Sequence, residues 1–345
     1  MVAGDGMKTA FVWNIAPPRT DLGNGLSLTT FADSTALIGT HYLGAICDMD
    51  YIWWAVGQDA PETVTDYDCL IVSLFGDMQH ITQIKAIHPN CYVIALPDAY
   101  FDDMFVNYSV WDMNMLTQLQ AADCIGYVSE SNRQFYGAIF HEKPTVKIPM
   151  PIGTDGFFQT VRTQPKEDFI ITSDHGNYLG ERPLDYSMPN VAAVAAIQRA
   201  TGLRVVYVNA AKKTPEYAKF AGLEATFTDY LNFASYAELA ARARLGVDMY
   251  CLHGFGRNTL MYAAAGTPAF GSDYNEFSMS SCDPWNPLEA VEVVDNYFSF
   301  PTYYEMSRRH GLDRVYEEHT FAACRKQMTA VLEQVEQWRH LPQPN

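Results

Sequence analysis

Short apolar runs recur along this chain, and stretches with apolar residues at helical spacing separate them. In the first half the runs predict strands at Thr9 to Ile15, Ile46 to Trp54, Cys69 to Leu74, Tyr92 to Leu96, Cys124 to Val128 and Thr145 to Pro149. Ser27 to Gly39, Met78 to Ile87 and Val110 to Ala121 have helical spacing. In the second half, strands are expected at Phe169 to Ser173, Arg204 to Asn209, Ala225 to Thr228, Val247 to Leu252 and Thr267 to Phe270. Helices at Asn190 to Thr201, Tyr236 to Ala243 and Thr259 to Ala265 fit between them, and Tyr303 to Trp338 reads as two more. This alternation is the mark of βαβ units and mainly parallel sheets, hence an α/β protein. A seam follows Pro149-Met150-Pro151-Ile152-Gly153-Thr154-Asp155, because two prolines and a glycine continue neither sheet nor helix.

The segment from Leu252 to Pro268 is the most informative. An apolar strand leads through a glycine-flanked turn, Gly254-Phe255-Gly256, into Arg257, Asn258, Thr259 and an alanine-rich helix that stops at Gly266-Thr267-Pro268. A helix that starts this way is an anion site: its first N–H groups point outward, its dipole favours negative charge, and glycine lets a phosphate come close.

Length and composition narrow the setting. A chain of 345 residues suits two αβ domains. No apolar stretch is long enough to span a membrane, and no basic region with a long apolar one behind it opens the chain. Seven scattered cysteines without a Cys-x-x-Cys pair suit reduced thiols in a cytoplasmic protein. No paired histidines with metal-ligand spacing occur, so no metal is expected. The formal net charge is -17, and the first 150 residues carry 6 Lys+Arg against 17 Asp+Glu. Such a surface favours a neutral, cationic or small partner over nucleic acid.

In this order of segments the chain resembles the GT-B glycosyltransferases, in particular the retaining family 4. "IGYVSESNRQFY" and "KPTVKIPMPIGTD" resemble the end of that family's first domain, and "YAELAARARLGVDMYCLHGFGRNTLMYAAAGTP" its donor-binding core. The resemblance implies two Rossmann-like domains facing across a cleft: an acceptor-side domain over 1–152 and a nucleotide-sugar domain over 153–305. It further implies C-terminal helices over 306–345 that pack back on the first domain. One departure stands out. The family has two glutamates eight positions apart where this sequence has His253 and Met261, and methionine cannot accept a ribose hydroxyl as a carboxylate does.

Candidate residues follow from both readings. Arg257 and the amides of Gly256, Arg257 and Asn258 suit a diphosphate, whose charge grows as it leaves. The resemblance adds Arg182 as a basic phosphate ligand and Gly23-Asn24-Gly25 as a glycine loop under the phosphates. Lys212 or Lys213 could serve as Arg182 does. Asp174 and His175 follow a strand end that faces the ligand crevice of an open αβ sheet. His253 stands against the donor sugar, and Asp98, directly after an apolar strand and Pro97, is the candidate general base.

The expected activity is metal-independent transfer of a sugar from a nucleotide-sugar, UDP-linked by preference, to an acceptor hydroxyl on a small molecule or glycan. No cofactor beyond that co-substrate is expected. The competing readings are a phage-type transferase acting on a modified DNA base, a sugar-nucleotide epimerase, and a non-catalytic sugar-nucleotide or glycan binder.

Overall fold

In the computed structural model the described residues are 7–13, 43–47, 49–74, 79–97, 109–153, 155–173, 187–208, 210, 213–228, 231–250, 256–272 and 277–340. They divide into two compact units. One holds the residues up to Pro151 and those from Phe321 on, the other Ile152 to Thr320.

The first unit runs β1 (Thr9–Trp13), α1 (Leu43–Ile46), β2 (Asp50–Trp53), β3 (Cys69–Leu74), α2 (His80–Ile87), β4 (Tyr92–Pro97), α3 (Ser109–Ala121), β5 (Cys124–Tyr127), α4 (Glu130–Ile139) and β6 (Thr145–Lys147). The strands form one parallel sheet in the order β2-β1-β3-β4-β5-β6. β3 and β4 are buried at every position, as central strands of a parallel sheet covered on both faces must be. Ala10, Val12, Leu70, Val72, Val93 and Ala95 pack on one face against Ile81, Ile84 and Leu119.

The second unit runs α5 (Asp155–Val161), β7 (Glu167–Ser173), α6 (Ser187–Thr201), β8 (Arg204–Val208), α7 (Thr214–Ala221), β9 (Ala225–Phe227), α8 (Phe233–Arg242), β10 (Ala243–Asp248), α9 (Arg257–Ala264), β11 (Ala269–Ser272), β12 (Ser281–Cys282), α10 (Pro287–Ser299) and α11 (Pro301–Arg314). Its parallel sheet has the order β12-β11-β10-β7-β8-β9. Counted within the unit this is 3-2-1-4-5-6, the order of a dinucleotide-binding fold. Leu245 and Val247 of β10 meet Val191, Val194 and Ile197 of α6 in the core beneath it. Each such side chain contributes about 1.5–3 kcal/mol by leaving water.

The α/β architecture with parallel sheets is as the alternation predicts; three local details differ. The run expected as a strand from Ile46 to Trp54 begins as a helical turn, because Leu43 and Ile46, three apart, are both buried and Cys47 N–H donates to Leu43 O at 2.8 Å. Pairing with β1 starts only at Asp50.

The strand expected to reach Leu252 ends at Asp248. Among the described residues Met249 has no ladder partner, and its N–H donates to the Asn190 side chain at 3.0 Å.

The span 306–345, expected to return as a whole to the first domain, is divided. α11 packs on α9, α10 and β11 of the second unit, where Gly311 leaves room for Ala263. Only α12 (Phe321–Arg339) belongs to the first unit, where it packs on α1 and Arg339 pairs with Asp68 at 2.9 Å. At the ends of the second unit, Ile152 N–H donates to His319 O at 3.0 Å and Gly153 bridges to Thr320.

Candidate functional site

The order of the second sheet reverses between β7 and β10, and in an open αβ sheet ligands bind outside the carboxyl ends of the strands at that point. β10 is built to bring a helix close here. Gly246 has no side chain where the Tyr262 ring lies across the strand. Two residues on, Asp248 is buried and accepts Thr259 Oγ1 at 3.1 Å and Asn258 Nδ2 at 3.5 Å. Strand end and helix start are thereby tied together.

α9 begins at Gly256, which has φ 77 and ψ 48, the left-handed region that only glycine adopts without strain. The first ladder bond runs from Leu260 N–H to Gly256 O at 2.8 Å, so the amides of Arg257, Asn258 and Thr259 lie outside the helical ladder at the positive end of its dipole. Arg257 is half-buried on the first turn. The helix is buried almost all round, with β10 and β11 on one side and α8 and α11 on others. Its far end is a Schellman cap: Thr267 N–H donates to Tyr262 O and Gly266 N–H to Ala263 O, both at 2.9 Å, with Gly266 at φ 72. Tyr236 Oη stands 3.1 Å from Asn258 Oδ1 and 3.1 Å from Tyr262 Oη. Burial pushes the Tyr262 phenol well above its usual pKa, so it stays a neutral hydrogen-bonding group.

A second buried polar side chain fastens the strand ends. Asn190 Nδ2 donates to Thr172 Oγ1 at 2.7 Å, to Tyr207 Oη at 2.9 Å and to Ser173 O at 3.2 Å, while its Oδ1 accepts Met249 N–H. One amide thus joins β7, β8 and the end of β10. Since Thr172 turns toward α6, its neighbour Ser173 turns to the opposite face, the one that carries α9. Ser173 is 1% exposed, and its hydroxyl has no hydrogen-bond partner among the described residues.

Of the residues the sequence singles out, Gly256, Arg257, Asn258 and Thr259 come together at this point. Met261, at the position where the resemblance places a second glutamate, is 1% exposed inside the unit. Gly23, Asn24, Gly25, Asp98, Asp174, His175, Arg182, Lys212, His253, Gly254 and Phe255 lie outside the described residues. Their neighbours are placed: β4 ends at Pro97, immediately before Asp98, and β7 ends at Ser173, immediately before Asp174. Asp248, Asn190 and Ser173 were not anticipated. The signal for the first two was a lone polar residue inside an apolar stretch, "LGVDMYCL" and "PNVAAVAAI".

No family model matches the chain, and no curated protein does. Solved structures do match. Sucrose-phosphate synthase from Thermosynechococcus elongatus superposes with a TM-score of 0.64 at 12% identity, over 96% of this chain and 99% of the other. An alpha-glucosyltransferase in complex with UDP and a 13-mer DNA containing a HMU base gives 0.56 at 12% identity, over 95% and 99%. A chain of the GtfA/B complex gives 0.55 at 14% identity, over 78% of this chain, which spans 57% of the other's length. The fold is GT-B. The switch point between β7 and β10 is therefore that of the second sheet of a GT-B chain. Among the described residues no group of three or more His, Cys, Asp or Glu side chains could hold a metal ion. No described helix is long and apolar enough to cross a membrane.

Proposed function

We propose that this protein is a glycosyltransferase that holds a nucleotide-sugar by its diphosphate at the β7–β10 switch point and passes the sugar to an acceptor hydroxyl. The observation that carries the reading is the start of α9: a left-handed glycine, amides outside the helical ladder and Arg257 on the first turn, all at the switch point. A leaving diphosphate gains negative charge as the glycosidic bond breaks, and a preset helix N-terminus and a guanidinium stabilise that charge without reorganising. In this reading no metal is required, His253 stands against the donor sugar, and Asp98 takes the proton of the acceptor hydroxyl.

UDP is the favoured nucleotide, being the one named with the alpha-glucosyltransferase of the same fold. The acidic first 150 residues favour a small molecule or glycan as acceptor over DNA, whose phosphates they would repel. Buried, unpaired thiols at Cys69, Cys91 and Cys124 support a reducing, cytoplasmic setting.

Calorimetric titration of UDP, GDP, ADP and dTDP into the wild type and Arg257→Ala tests the reading. One nucleotide should bind the wild type and bind the variant about 10-fold more weakly, the effect of one charge-assisted hydrogen bond. Failure of all four to bind the wild type would sink the proposal.

A further inference from the structure

We infer that Ser173 is a ligand of the donor diphosphate. The inference rests on the reading of the switch point as a nucleotide-sugar site. The register of the two central strands pairs Val247 with Thr172, so the residues that close them, Asp248 and Ser173, are neighbours on the α9 face. Asp248 is engaged by Thr259 and Asn258 of that helix. The Ser173 hydroxyl is 1% exposed and has no partner among the described residues.

A buried hydroxyl without a partner is costly, and its neighbours here could have been spared the cost by alanine. A ligand at its position would supply the missing partner. Ser173 closes β7 at the point where the sheet reverses, on the face that carries the helix whose N-terminus and Arg257 draw an anion. A serine hydroxyl can donate to a phosphate oxygen there, and the Asp248 charge beside it is already answered by a hydroxyl and an amide. Asn190 holds the Ser173 carbonyl at 3.2 Å, which fixes the backbone from which the hydroxyl projects.

This assignment predicts opposite effects on stability and binding. Ser173→Ala should melt at or above the wild-type temperature without ligand, since it removes an unsatisfied polar group. It should bind UDP about 10-fold more weakly, with affinity for uridine, followed by ligand-detected NMR, unchanged. Ser173→Cys, which keeps the volume but donates poorly, should weaken UDP in the same direction. UDP affinity within twofold of the wild type in both variants would overturn the inference, as would an equal loss for UDP and uridine. If the wild type binds neither UDP nor GDP, ADP or dTDP, the donor-site reading itself fails and the assignment with it.

Discussion

The Thr259 hydroxyl donates to the Asp248 carboxylate at 3.1 Å, joining the last residue of β10 to the first turn of α9. Both residues are buried, so the bond is charge-assisted and shielded from water. Thr259→Val keeps the shape and removes the donor. We expect a loss of ~1.5–3 kcal/mol in urea unfolding, because the carboxylate stays buried with one partner fewer. Nucleotide affinity should fall as well, since the helix start loses its anchor; a variant of wild-type stability would show that Asp248 is satisfied without Thr259.

Gly256 occupies a conformation that a side chain resists, at the point where the backbone must turn into α9. Gly256→Ala should lower stability by ~1–2 kcal/mol, the cost of a left-handed residue with a Cβ. Denaturant titration reads this directly, and an unchanged midpoint would mean that the turn relaxes to another conformation.

Asn190 serves β7, β8 and the end of β10 with one amide, and it is 4% exposed. Asn190→Leu fits the space but leaves Met249 N–H and the Tyr207 hydroxyl without this partner. A loss on the order of 3 kcal/mol is expected. Melting of the variant checks this, and a loss below about 1 kcal/mol would show that the strand ends hold their register without the amide.

In the first unit, His80 is 2% exposed, stacked on Trp54 at 4.0 Å, with Nε2 2.7 Å from Trp54 O. A carbonyl accepts, so Nε2 carries a proton in the neutral ring. Burial lowers the His80 pKa, and the bond to the Trp54 carbonyl offsets this only in part. The unfolded chain therefore binds a proton that the folded chain refuses once the pH drops below about 6.5. Stability from this group is complete above that pH and is lost as the pH falls toward the folded value. His80→Gln should flatten the acid limb of a melting-temperature profile below about pH 6.5; an unaltered limb would place the acid sensitivity elsewhere.

What the sequence revealed depended on the distance between partners. β3 was legible to the residue, since Cys69 to Leu74 is an unbroken apolar run buried at every position. The helix from Arg257 to the cap at Gly266 was legible too, because a start glycine, apolar spacing and a stop glycine are all local signals. Helix periodicity missed α1, where a single turn is too short to show a period. Asn190 was hidden because its partners at 172, 207 and 249 meet it only after the sheet has formed. Ser173 was hidden for another reason: whether a strand-end hydroxyl is satisfied depends on strand register and on which face carries which helix, and neither is written in a local pattern.

Hydrogen–deuterium exchange with and without UDP locates the donor site most directly. Exchange should slow in peptides covering Met249 to Leu260 and the end of β7 at Thr172 and Ser173, and slow less in Arg257→Ala. Binding of UDP that protects other segments and leaves these amides unchanged would contradict the proposed site.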